Sequence, residues 1–295
     1  MGDRGSRGAR HADSLAERPR ATPLAPGYLA RPGERGPEAA SRSRGERLSP
    51  LEIALLLGGG LAAGVVNTLA GGGSLLTVPL LVLLGLPGTV ANGTNRVGVV
   101  FQNAAAAWRF RAEGVPGIAD AAPLLIPVAL GSLIGAAAIS QVSDTLFTRL
   151  FGVVMLVLLV PTLRPRRNDP PAPRRGSRAG PWLRGLLFFG LGLYGGAFQA
   201  GVGLVLALVL SVAGEDLVRA ASIKVVVILV LTAVTIPVFA LAGQIAWGPA
   251  LLLGAGFASG GELGARIAVR GGERVIRPVL FAAVLALAGR MLGLY

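Results

Sequence analysis

Lys224 is the single lysine of the chain, and it stands in the otherwise apolar run Ala221, Ser222, Ile223, Lys224, Val225, Val226, Val227. Arg96 stands in Asn92, Gly93, Thr94, Asn95, Arg96, Val97, again inside a long apolar segment. A cation in the middle of a membrane helix costs about 2.5 to 3.5 kcal/mol on insertion scales, so each needs a partner, a water-filled cavity or an anion. A hydroxyl lies two residues ahead of each cation, Thr94 and Ser222, and adds a donor suited to an oxyanion. Asn95, with Asn92, Gln102 and Asn103, extends a polar face, although asparagines also glue helices together. The competing reading is structural: both cations lie within two turns of a helix end, from which a long side chain snorkels to the interface.

Glycine clusters are the second candidate. Gly72, Gly73 and Ser74, and later Gly201 and Gly203, precede short apolar stretches. A half-helix that begins inside a membrane turns its free N–H groups and positive dipole end toward the cavity, where an anion fits. The alternative is close packing, and Gly131 with Gly135 and Gly260 with Gly264, each four apart, read as packing alone. Glu262 lies in an apolar stretch four residues before Arg266, the spacing of an intrahelical ion pair, rather than of a proton carrier. Other chemistry falls away. The chain has no cysteine and one histidine, His11, in a polar tail, so metal clusters and Ser/His catalysis lack their groups. No Gly-Lys-Ser/Thr ending follows the glycines, which argues against a nucleotide loop. No cofactor is called for, and an enzyme is not expected.

The elements that must hold these residues are membrane helices. Of 295 residues 53% are apolar, while the 15% that are charged crowd into two places, a distribution that only a bilayer tolerates. The net charge of +13 is therefore read as membrane topology and not as a nucleic-acid surface. Residues 1–50 form an Arg-rich tail too polar to bury a core, expected to be disordered. Ten apolar segments follow, and those at 73–88 and 201–214 fall short of the roughly 20 residues of a span. Short, glycine-broken segments at corresponding places point to re-entrant or discontinuous helices. Arg164 to Arg184, with seven arginines and Pro170, Pro171 and Pro173, reads as a solvated linker. The expected organisation is a first transmembrane repeat over 51–163, a linker over 164–181 and a second repeat over 182–295. The fold class is an all-α polytopic membrane protein of two homologous repeats, about four spans each (8, range 8–10).

At an offset of 128 or 129 residues Gly72 falls on Gly201, Gly131 on Gly260, Gly135 on Gly264, Asp144 on Glu273, Thr94 on Ser222 and Arg96 on Lys224. Tail and linker, both arginine-rich, belong on the cytoplasmic side of the bacterial inner membrane by the positive-inside rule, which makes the number of crossings in the first half even and the copies parallel. Arg266, Arg270, Arg274 and Arg277 surround a late loop that this topology puts outside, against the rule. An odd count would make the copies inverted.

The run from Gly71 through Val78 and Pro79, then Gly85, Pro87, Ala91, Gly93, Thr94, Asn95, Arg96, Phe110 and Gly114, resembles the first signature of the sulfite exporter TauE/SafE family. Gly195 to Gly203 followed by Ala220, Ala221, Ser222, Ile223 and Lys224 resembles the second, and together they span residues 51–295. The resemblance implies two repeats of about four spans and a small sulfur-containing anion (sulfite, thiosulfate or an organosulfonate) as cargo, met near Arg96 and Lys224. It implies a secondary transporter, an exporter, working by alternating access and driven by a proton or the membrane potential. An anion channel is the alternative function, with a membrane enzyme or a scaffold behind it; oligomeric state is not legible. The second signature commonly has Thr, Thr before its Lys, where this chain has Ser222 and Ile223, so selectivity does not carry over.

Overall fold

The computed structural model describes residues 48–115, 117–163, 180–213, 215 and 217–270. The expected tail, nearly all of the linker and the last apolar segment, with Glu273, Arg274 and Arg277, lie outside the described residues. The described elements are all helices: α1 Pro50–Ala70, α2 Ser74–Leu83, α3 Gly88–Ala112, α4 Ile118–Ser140, α5 Asp144–Leu163, α6 Pro181–Phe198, α7 Val202–Val212, α8 Leu217–Leu241 and α9 Trp247–Val269. Among the described residues three stretches, Pro50–Ala70, Ile118–Ser140 and Val218–Leu241, are long and apolar enough to cross a membrane.

Local sequence sets the ends of α1. Ser49 and Glu52 form a capping box, Ser49 N donating to Glu52 Oε2 at 2.7 Å and Glu52 N to Ser49 Oγ at 3.2 Å, with Pro50 in the first turn. The other end stops at Gly71, whose φ of 82° is the left-handed conformation of a glycine C-cap.

Packing register fixes helix direction. Gly60 lies against Leu253 and Phe257, Gly64 against Phe257 and Gly260, and Gly264 against Val65 and Thr68, so α1 and α9 run parallel. Gly192 lies against Val128, Gly131 against Phe189 and Leu193, Gly196 against Ser132, and Gly135 against Ala197; α4 and α6 are parallel too. At most of these glycines a Cβ would overlap the neighbour's backbone, which is how small residues bring helices close where lipid supplies no hydrophobic drive between them. Helix α3 also follows α9: Gly93 lies against Gln244, Gly98 against Leu253 and Phe257, and Gln102 against Gly261.

Helix α2, in contrast, turns back along α1. Gly73 sits beside Ala63 and Asn67, and Leu80 beside Gly59. Helices α1 and α2 therefore make a hairpin, and α3 starts at the end of the bundle where α1 starts. At that end Thr89 N donates to Asp144 Oδ1 at 2.9 Å, and Gln244 Nε2 to Ser140 O at 2.8 Å. At the opposite end Arg219 grips Asp120 through Nε and Nη2 at 3.1 and 3.0 Å, and Ser222 Oγ donates to Val115 O at 2.6 Å. Leu48 and the end of α5 thus lie at opposite ends, which runs against an even number of crossings in the first half. The physical reason is the hairpin: its short arm does not dip and return to where α1 finishes, but carries the chain back toward where α1 began. Glu262 pairs with Arg266 on α9, as their spacing predicts.

Candidate functional site

Both helix breaks, predicted from glycines, are held by the two buried cations. Helix α1 ends with carbonyls that its own turns do not fully use. Lys224 Nζ, from α8, donates to Thr68 O at 2.7 Å and to Asn67 O at 3.3 Å. Side chains brace the same turn: Asn67 Nδ2 donates to Gln102 Oε1 at 2.5 Å, Gln102 Nε2 to Thr68 Oγ1 at 2.7 Å, and Gly73 N to Asn67 Oδ1 at 3.2 Å. Asn95 ties α2 to α3, donating from Nδ2 to Ser74 Oγ at 2.9 Å while Oδ1 accepts from Thr77 Oγ1 at 2.5 Å.

The second break is held in the mirror sense. Arg96, from α3, donates through Nη2 to Gly196 O at 2.5 Å, with Gly195 O and Ala197 O each at 3.3 Å. Its Nη1 reaches Gln199 Oε1 at 2.9 Å and Thr235 Oγ1 at 3.0 Å, and its Cζ lies 4.4 Å above the centre of the Phe239 ring. Asn92 Nδ2 adds a bond to Ala197 O at 2.9 Å. Gln199 has a φ of 61°, the one positive value on a non-glycine among the described residues, and its Nε2 donates to Thr232 Oγ1 at 2.9 Å. Asn67 and Thr68, under Lys224, stand 129 residues before Gly196 and Ala197, under Arg96. Arg96 is 0% and Lys224 1% exposed, so neither snorkels to an interface.

The tips of the two hairpins touch. A Cβ on Gly71 would overlap the backbone of Gly203, and one on Gly203 would overlap Gly71. Gly201, with φ 71°, forms the turn into α7 and packs on Leu158; Gly72 and Gly73 form the turn into α2, which begins at Ser74. The negative C-terminal ends of α1 and α6 are thus covered by fixed cations, while the positive N-terminal ends of α2 and α7 converge where Gly71 meets Gly203. Of the buried polar atoms here, Arg96 Nε and Asn92 Oδ1 have no partner.

The predicted hydroxyls are not gathered at this point. Thr94 Oγ1 accepts from Ala246 N at 2.9 Å and Ser222 Oγ donates to Val115 O, so both fasten loops at the ends of the bundle. Gln199, Asn67, Thr232, Thr235 and Phe239 belong to the site and escaped sequence reasoning. For the four polar ones the signal was polarity within apolar runs, such as Gln199 between Phe198 and Ala200; Phe239 carried none. A cavity of 440 Å³ among α5, α6 and α7 is lined by apolar side chains such as Val153, Val157, Leu191 and Val209; it offers an anion nothing.

The family described as sulfite exporter TauE/SafE matches residues 56–291. A relative from Haemophilus influenzae, named "Probable membrane transporter protein", is 30% identical over 231 residues, 77% of this chain and 89% of that one. "Probable membrane transporter protein ORF9" of Sinorhizobium sp is 28% identical over 82% of this chain and 92% of its own length. "Probable membrane transporter protein YfcA" of Escherichia coli K12 is 23% identical over 83% and 91%. No solved structure matches.

Proposed function

The chain belongs to the sulfite exporter TauE/SafE family, and on that premise we propose that it is a secondary transporter of a small sulfur-containing anion, held where the two hairpin tips meet. The observation that carries this reading is the pair of buried cations, each reaching from one half of the chain to the broken helix of the other. A buried guanidinium with an unpartnered Nε, in a fold whose half-helices α2 and α7 start at touching hairpin tips, favours an oxyanion over a cation or a neutral solute. Sulfite, thiosulfate and an organosulfonate are the candidates, all presenting oxygens to such donors.

Within this reading the halves 51–163 and 182–295 are repeats of inverted orientation. Support comes from the parallel pairs α1 with α9 and α4 with α6, each joining one half to the other, and from the matched contacts of Arg96 and Lys224. Inversion also resolves a conflict in the arginines. Arg109, Arg111, Arg184, Arg219, Arg266 and Arg270 then share one face with Leu163 and Gly180, the cytoplasmic face by the positive-inside rule, and residue 48 leaves from the other. Rocking one half against the other would expose the tips to each side in turn. A monovalent anion leaving a negative interior gains about 2.3 kcal/mol per 100 mV, so export can run on the potential without a proton.

Binding tests the reading. Thermal unfolding of the purified protein should shift upward with sulfite, thiosulfate or a sulfonate, and stay unmoved by matched sodium chloride. Arg96→Ala should abolish the shift. A shift of equal size in that variant would place the anion elsewhere.

A further inference from the structure

Carriers with broken helices commonly use the exposed carbonyls at half-helix C-termini to coordinate a coupling sodium ion. Here those carbonyls already hold positive charge supplied by the chain itself. Lys224 Nζ lies on Asn67 O and Thr68 O, and the Arg96 guanidinium on Gly195 O, Gly196 O and Ala197 O, with every one of these residues buried except the half-buried Ala197. We propose that Lys224 and Arg96 are tethered cations standing in the places of coupling ions, so that this chain moves its anion without sodium and each side chain covers a cryptic monovalent-cation site.

The chemistry at the two places fits a cation. Main-chain carbonyls at a helix C-terminus carry partial negative charge, and burial makes a point charge there more effective than in water. Around the first break the acceptors are the main-chain oxygens of Asn67 and Thr68, while the amide oxygens of Asn67 and Gln102 accept from Gly73 N and from Asn67 Nδ2 and Asn103 Nδ2 and so brace the same turn. An ammonium ion finds acceptors directed at it, and a small hard ion finds oxygens. The second break adds Gln199 Oε1 and Thr235 Oγ1, and its acceptors spread in the plane of a fork, which suits a guanidinium better than a sphere. A covalently attached cation cannot leave with the substrate; the anion's own charge is then moved uncompensated, and the membrane potential acts on it directly.

The inference rests on the carrier reading above, and the experiment separates the two. Lys224→Ala and wild type are purified and reconstituted, and labelled sulfite flux is measured with sodium, methylammonium or choline as the only added cation. Thermal unfolding is followed in the same salts. Wild-type flux should be equal in sodium and choline, and its unfolding indifferent to the cation. Lys224→Ala should lose roughly tenfold or more in flux, the range of site-to-site coupling, and regain it with methylammonium. Its unfolding temperature should rise with methylammonium concentration but not with choline. Arg96→Ala should answer to guanidinium in place of methylammonium. Wild-type flux that needs sodium overturns the inference while leaving the carrier reading standing. A Lys224→Ala protein whose unfolding ignores every small cation also overturns it, whether or not that variant transports. Absence of anion flux in wild type in every salt would instead sink the carrier reading, and the unfolding series would still decide the cation sites.

Discussion

The two terminal nitrogens of Arg96 reach five acceptors: Gln199 Oε1, Thr235 Oγ1 and three successive carbonyls of α6. A lysine keeps the charge but not the fork, so Arg96→Lys should remain folded while losing roughly 100-fold in flux through misplaced hairpin geometry. Arg96→Met, which leaves the carbonyls of Gly195 to Ala197 short of a donor, should lower unfolding stability by about 2 to 3 kcal/mol, read by denaturant titration in detergent. Gln199 separates backbone from side chain. Gln199→Gly relieves its strained positive-φ turn (φ 61°, ψ −35°) by about 1 kcal/mol while deleting the Arg96 and Thr232 bonds, so stability should barely move and flux should fall. Equal flux in wild type and Gln199→Gly would show that Arg96 is placed without Gln199, by Thr235 and the carbonyls of α6 alone. At this scale the sequence was half legible. Arg96 and Lys224 stood out because charge is rare in apolar runs, but both reach main-chain carbonyls, which no side chain marks. Thr94 and Ser222 were legible as a matched pair and not as loop fasteners, because a hydroxyl two residues from a cation points to another side of the helix.

Helices here meet through glycine, and the positions differ sharply in what a methyl group would strike. A Cβ at Gly196 would overlap the backbone of Ser132, and one at Gly131 the backbone of Phe189, whereas Gly190 and Gly58 face open space. Gly190→Ala and Gly58→Ala should therefore be neutral or stabilising by up to about 1 kcal/mol, the ordinary helix preference for alanine. Gly196→Ala and Gly131→Ala should destabilise by about 1 to 3 kcal/mol, since the parallel helices must part. Thermal unfolding of the four single variants checks the order, and a Gly190→Ala loss equal to that of Gly196→Ala would contradict the register given for α4 and α6. Both breaks were readable as glycine clusters before short apolar segments. The partners of the packing glycines were not, because a four-residue spacing names one face of a contact and says nothing of which helix lies opposite.

For the whole molecule the sequence pattern misled in one respect. The arginine-rich tail at 1–50 and linker at 164–181 suggested a common face, whereas Leu48 and Gly180 belong to opposite ends of the bundle once α2 is seen to double back along α1. Hydropathy cannot tell a hairpin arm from a short span, since both are apolar and direction depends on which neighbour the arm packs against. The chain has no cysteine, so single introduced thiols report sidedness without background. Pro50→Cys and Ser143→Cys should react with an impermeant maleimide from one side of the membrane, and Arg111→Cys and Gly180→Cys only from the other. Labelling of Pro50→Cys and Gly180→Cys from the same side would refute the inverted arrangement.

The most direct measurement is counterflow of labelled thiosulfate or sulfite into liposomes preloaded with the unlabelled anion and containing the purified protein. Wild type should show saturable exchange, reduced roughly tenfold or more in both Arg96→Ala and Lys224→Ala and retained in Gly190→Ala. Exchange at the wild-type rate in the two cation variants, or unitary currents in place of counterflow, would contradict the carrier reading.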